Sequence, residues 1–104
     1  MAITNHQVGT STGTHAYQAS ADTAVTVIYI TNKSSSDGTI DVYLLPNGQT
    51  VSENFKIYNQ LTIKAQDTYI IDTEKTILEI GAKIYIAAPD SAAQFNATIS
   101  TIGL

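Results

Sequence analysis

Cysteine, tryptophan and arginine are all missing from this 104-residue chain. Without cysteine there is no disulfide scaffold and no thiolate zinc site, so the fold must rest on burial and backbone pairing alone. Charge is scarce as well: charged residues make up 13% of the chain, against about 25% in an ordinary soluble domain. Five lysines face nine carboxylates, a net charge of -4. That balance offers no basic stripe to displace counterions from a phosphate backbone or to hold an anionic membrane surface, so neither nucleic acid nor membrane is expected as a partner. Long hydrophobic runs are absent too. The longest, Ala24 to Ile30 with Thr26 inside it, falls far short of the roughly 20 residues of a membrane-spanning helix. The first residues, Met1-Ala2-Ile3-Thr4-Asn5-His6, show neither the basic nor the apolar segment of a secretory signal.

What is present is period two. Short runs rich in Thr, Ile, Val and Tyr alternate apolar and polar residues and are separated by turn residues, the pattern of an all-β sandwich or barrel. Residues 1–13, polar and rich in Gly, Thr and Ser, read as a flexible N-terminal arm, and residues 14–104 as one sandwich domain. Strands are expected at Thr14 to Gln18, Ala24 to Thr31, Thr39 to Leu45, within Glu53 to Ile63, and at Thr68 to Asp72, Thr76 to Ile80, Lys83 to Ala88 and Gln94 to Ile102. Turns fall at Asn32 to Gly38, Pro46-Asn47-Gly48, Lys64 to Asp67, Thr73-Glu74-Lys75, Gly81 and Pro89-Asp90-Ser91. Asn59, on the apolar side of its strand, predicts a bulge or strand change there. About seven antiparallel strands fit an immunoglobulin-like sandwich, with a jelly roll as the competitor.

Little in the chain suggests catalysis. His6 and His15 are nine positions apart in its least structured part, without metal-pair spacing. The carboxylates Asp67, Asp72, Glu74 and Glu79 cluster around one corner, where a glycosidase pair is conceivable, but no tryptophan or arginine is available to line a cleft. Ser36-Asp37-Gly38 and Pro89-Asp90-Ser91 are too sparse for a calcium loop and read as turns. Phosphate-loop, dinucleotide and nucleophile-elbow motifs are absent. No cofactor, metal or catalytic residue is expected. The triplets Asn32-Lys33-Ser34 and Asn96-Ala97-Thr98 have the glycosylation pattern but are expected by chance in a chain of this composition.

The candidate interface is aromatic and aliphatic. Tyr29, Tyr43, Tyr58 and Tyr85 each lie opposite the aliphatic face of their strand, and tyrosine suits protein interfaces. In the second strand Val25, Val27 and Tyr29 share one face while Thr26, Ile28 and Ile30 share the other, and a single sandwich buries only one face of a strand. The exposed apolar face predicts a homo-oligomer, a trimer or a larger ring, unless residues 14–18 cover it.

The order of motifs also carries a resemblance. Thr26-Val27-Ile28-Tyr29-Ile30-Thr31-Asn32 is followed by Val42-Tyr43-Leu44-Leu45-Pro46-Asn47-Gly48, by Ile57-Tyr58-Asn59-Gln60-Leu61-Thr62-Ile63, and by Asp67-Thr68-Tyr69-Ile70-Ile71-Asp72-Thr73-Glu74-Lys75, ahead of the Gly81 turn and a Thr/Ser-rich closing strand. Over residues 8–104 this resembles small virion structural proteins of tailed bacteriophages of the marine and cyanobacterial type. The resemblance implies a non-enzymatic subunit of the virion, assembled in the host cytoplasm, that decorates or stabilises capsid, neck or tail through contacts with other virion proteins. A carbohydrate- or receptor-binding module on the virion surface is the alternative expectation.

Overall fold

The computed structural model describes residues 2–8, 14–72, 76–88 and 95–104. Within them lie nine strands: β1 (Ala2–Val8), β2 (Thr14–Gln18), β3 (Thr23–Asn32), β4 (Gly38–Leu45), β5 (Lys56–Ile63), β6 (Thr68–Ile71), β7 (Thr76–Leu78), β8 (Lys83–Ala87) and β9 (Phe95–Gly103), with a single 3₁₀ turn at Glu53–Phe55 before β5. All pairings are antiparallel and they nest. The innermost, β4 with β5, is enclosed by β3 with β6 and β7, then by β2 with β8, then by β1 with β9. The nested ribbon is rolled so that β9 also pairs β3 and β8 also pairs β4. Sheet A therefore runs β1-β9-β3, with β6 and β7 each pairing part of β3, and sheet B runs β2-β8-β4-β5.

This is the connectivity of a jelly roll. An immunoglobulin-type sandwich places its first two strands side by side in one sheet, whereas β1 and β2 lie in different sheets here. Of the two sandwiches anticipated, the immunoglobulin-like one is thus excluded. The strand count also rises, because residues 2–8, expected as part of a loose arm, form an edge strand. Seven consecutive residues of β1 pair one-to-one with β9, and Val8 is buried at the end of the strand. Backbone pairing offsets an ordering cost that apolar content alone would not, which composition did not reveal. The Gly9 to Gly13 part of the arm, the Thr73-Glu74-Lys75 corner and the Pro89-Asp90-Ser91 turn lie outside the described residues.

The core lies between the sheets. Val25, Ile28 and Ile30 of β3 and Phe95, Ala97 and Ile99 of β9 meet Ile40 and Val42 of β4 and Ile84 and Ile86 of β8. Burial of each large member contributes about 1.5–3 kcal/mol. Among the described residues one polar side chain, Asn32, is fully buried beside them. Asn32 Nδ2 donates to the carbonyls of Ser36 (2.8 Å) and Ile63 (3.0 Å), while Oδ1 accepts from the backbone N–H (3.0 Å) and hydroxyl (2.9 Å) of Ser34. Asn32 thus ties the end of β3 to the end of β5 in the other sheet, and its triplet has a structural use in place of a glycan.

Bulges decide which side chains face out. Val25 pairs with Thr101 and Val27 with Ser100, so Thr26 is an extra residue, and its hydroxyl donates to the Ser100 carbonyl at 3.1 Å. The extra residue resets the alternation, so Val25 and Ile28 both point into the core. In β5 the partner steps from Leu61 to Tyr58 as β4 steps from Ile40 to Val42, placing the anticipated irregularity at Asn59 and Gln60. Gln60 sits at φ +51°, and its N–H is held by Asp41 Oδ1 at 2.7 Å. A second register shift leaves Ile57 unpaired and exposed.

Candidate protein interface

The five strands of sheet A, read as AITNHQV, TAVTVIYITN, TYII, TIL and FNATISTIG, contain no Asp, Glu, Lys or Arg. The registers set their outward residues in rows across the sheet. Ile77, Ala24 and Ile102 form one row, Val27, Ser100 and Ile3 the next, then Ile70, Tyr29, Thr98 and Asn5, then Thr68, Thr31 and Asn96. Large apolar side chains stand open to solvent on this face: Ile3 is 66% exposed, Ile77 60%, Ile70 48%, and Tyr29 and Ile102 40% each. Two pairs of its neutral polar groups are bonded to one another across strands. Thr98 Oγ1 donates to Asn5 Oδ1 at 2.6 Å, joining β9 to β1, and the hydroxyls of Thr31 and Thr68 share a 2.9 Å hydrogen bond from β3 to β6. Covering such a face removes apolar surface from water and desolvates no Asp, Glu, Lys or Arg side chain of these strands, so its desolvation cost is low.

Sheet B presents a different outer surface. Asp41, Tyr43 and Leu45 of β4 face away from the main core yet are buried, Tyr43 and Leu45 packed with Ala87, Phe55 and Tyr85 in a second small cluster. Lys56 closes this surface. Its side chain is only 11% exposed, and Nζ lies 3.5 Å from Asp41 Oδ2, 3.1 Å from Glu53 Oε2, 3.1 Å from Asn59 Oδ1 and 5.5 Å from the centroid of the Tyr43 ring. Burial pulls the ammonium pKa down, but the hydrogen bond to Glu53 and the charge of Asp41 outweigh it and hold Lys56 above its ordinary value.

The six residues singled out from sequence therefore separate. Tyr29 and the half-buried Val27 lie on the outer face of sheet A. Val25, at 3% exposed, belongs to the core, because the Thr26 bulge turns it inward. Tyr43 is 9% exposed beneath Lys56, and half-buried Tyr85 packs against the same cluster. Tyr58 packs on the main core and meets Tyr69 edge-on, ring centroids 6.1 Å apart; burial, with the adjacent Tyr69, raises its hydroxyl pKa. Asp41 is buried too, its carboxylate held by the Gln60 N–H and by Lys56 Nζ of β5. The exposed isoleucines 3, 70, 77 and 102 went unrecognised. The signal that would have found them is the run of charge-free strands, visible in the sequence as a spacing between charges rather than as a motif.

Three carboxylates outside this region accept hydrogen bonds from backbone N–H groups. Asp22 Oδ1 accepts from the Ile80 N–H, Asp37 Oδ1 from Ala65 and Asp67 Oδ1 from Thr68. His6 lies on β1 opposite Ala97 and His15 on β2 opposite Tyr85, in different sheets. Beside Ile77, a cleft of about 170 Å³ opens between Leu44, Leu45, Pro46, Leu78, Glu79 and Ala82. Small-molecule pockets run to about 300–1,000 Å³, so this one is smaller than they are. Comparisons with protein-family models, with curated proteins and with solved structures find no match for this chain.

Proposed function

We propose that this chain is a non-enzymatic structural subunit of a bacteriophage particle, decorating or stabilising the capsid, neck or tail, and that the outer face of sheet A is where it docks. The observation that carries the reading is the charge-free face with its exposed isoleucines. A chain that places lysines and carboxylates elsewhere, yet none on a face four strands wide, has a surface suited to burial against protein. The resemblance of residues 8–104 to phage virion proteins supplies the kind of assembly. Bound in many copies, the subunit adds contacts that stabilise the particle by mass action.

Purified chain added to particles produced without it tests the reading. Saturable binding at a fixed number of copies per particle, together with slower heat disruption of the particle, is expected. Binding of the isolated domain to a cell-surface glycan, with no affinity for the particle, would replace this reading with the carbohydrate-binding one. Tyr43, buried beneath Lys56, offers no open ring for sugar stacking.

A further inference from the structure

The sandwich has four sheet edges, and three of them are guarded. An edge strand offers a row of unpaired backbone groups, and proteins blunt it with lysine, bulges or short strands. On sheet B, β5 carries Lys56 and two register shifts, and β2 has only five residues with a shift between His15 and Tyr17. The β6 and β7 side of sheet A is broken into strands of four and three residues separated by residues 72–75. Among the described residues β1 alone has none of these devices. Its seven residues, Ala-Ile-Thr-Asn-His-Gln-Val, contain no charge and no proline, and its pairing to β9 runs through all seven without a shift.

We infer that β1 pairs edge to edge with β1 of a second copy of this chain, antiparallel across a two-fold axis perpendicular to the sheet. The occupant follows from charge and symmetry. Two copies carry -4 each and repel, but at this edge neither presents a charged side chain, and an unshifted strand is its own antiparallel partner under a two-fold axis. A perpendicular axis sets outward residues opposite outward residues, so the sum of paired residue numbers is even. The register that uses all seven residues places Asn5 opposite Asn5, Ile3 opposite Gln7, Thr4 opposite His6 and Ala2 opposite Val8. Thr4 Oγ1, a buried side-chain oxygen with no hydrogen-bond partner among the described residues, then lies near the axis, beside the second copy. The pairing also makes one continuous sheet of the two charge-free faces. It is a two-fold contact rather than the trimer or ring expected from sequence, and it stands whether or not the face docks on a particle.

The absence of native cysteine makes the register directly measurable. Under a thiol–disulfide buffer, Asn5→Cys should form an intermolecular disulfide, because residues opposite each other in an antiparallel pair have Cα atoms about 4.5–5.5 Å apart, within disulfide reach. Ile3→Cys should cross-link at least about tenfold more slowly, since two copies of residue 3 stand four positions, or about 13 Å, apart along the strands. An equimolar mixture of Ile3→Cys and Gln7→Cys should cross-link as readily as Asn5→Cys. Sedimentation of the cysteine-free chain should show a monomer–dimer equilibrium that Asn5→Lys shifts to monomer with its circular dichroism unchanged. Ile70→Lys, at the far margin of the face, should leave the Asn5→Cys cross-link unchanged. Equal cross-linking at positions 3 and 5, no cross-linking of folded Asn5→Cys, or loss of the cross-link in the Ile70→Lys background would each overturn edge pairing, the last by showing that copies stack face to face.

Discussion

Replacing Asn32 removes the polar tie between the two sheets, and the two obvious replacements should fail differently. In Asn32→Ala four hydrogen bonds are lost. Three involve part-buried groups of Ser34 and Ser36, at about 1 kcal/mol each. The fourth leaves the buried Ile63 carbonyl without its donor, which costs about 1–3 kcal/mol. With some of this recovered by water entering the vacated space, the loss is about 4 kcal/mol, a large part of the roughly 5–15 kcal/mol that holds a domain of this kind together. It should lower the melting temperature by about 15–25 °C. Asn32→Asp keeps the volume and the acceptor for Ser34 but turns an oxygen toward two carbonyls in a buried site. Its carboxyl pKa is therefore raised by folding, and the fold favours the protonated form. The variant should be at least as unstable as Asn32→Ala at pH 7 and should regain stability as pH falls through the raised pKa, whereas Asn32→Ala should follow the wild-type pH profile. Urea unfolding followed by circular dichroism at pH 7 and pH 4 measures both. A loss below about 1 kcal/mol for either variant at pH 7, or identical pH profiles for the two, would refute the role given to this side chain.

Gly48 and Gly81 both sit at positive φ, +83° and +86°, but only at Gly81 would an added Cβ meet a neighbour, the side chain of Asn47. Gly48→Ala should cost the left-handed strain alone, about 1–2 kcal/mol, and Gly81→Ala more, the two converging in an Asn47→Gly background; equal costs in the wild-type background would count against that contact. Lys56→Met tests the closure of sheet B. Folding raises the Lys56 pKa, so its contribution is fully present below the ordinary lysine value of 10.5 and is lost as pH rises through the higher folded value. The stability difference between wild type and Lys56→Met should therefore shrink in strongly alkaline buffer; a difference independent of pH would contradict the ion-pair account.

Much of the architecture could be read along the chain, and what escaped did so for identifiable reasons. Alternation located the strands from Thr14 onward, because each inward residue sits two positions from the next and the turns are marked by Pro46-Asn47-Gly48 and Gly81. Alternation fails where a bulge inserts a residue. Thr26 looks like any other strand threonine, yet it turns Val25 inward and leaves Val27 and Tyr29 on the other face. At β5 the irregularity was signalled by Asn59, but its effect on Tyr58 depended on which residue Asp41 would hold, a contact spanning 19 positions. The strand character of residues 2–8 depends on β9, whose paired residues lie 87 to 99 positions away, and no local window contains it. The docking face was legible only in part, because its isoleucines come from four separate strands, and their meeting is a property of topology.

The central claim is that the outer face of sheet A is a protein-docking surface, and placing charge on it tests this most directly. Tyr29 and Ile70 are cross-strand partners, and both are open to solvent. A Tyr29→Lys, Ile70→Lys double variant should fold with near-native stability, since neither residue belongs to the core. Burying its ammonium groups without partners should weaken binding to particles by roughly 2–5 kcal/mol, about thirty- to several-thousand-fold. Gln66→Lys, on an exposed turn of the opposite character, is the control and should bind as wild type does. Particle occupancy measured across a concentration series of the three proteins gives the answer. Loss of binding by the folded double variant alone is the predicted result, and wild-type occupancy by that variant would contradict the account.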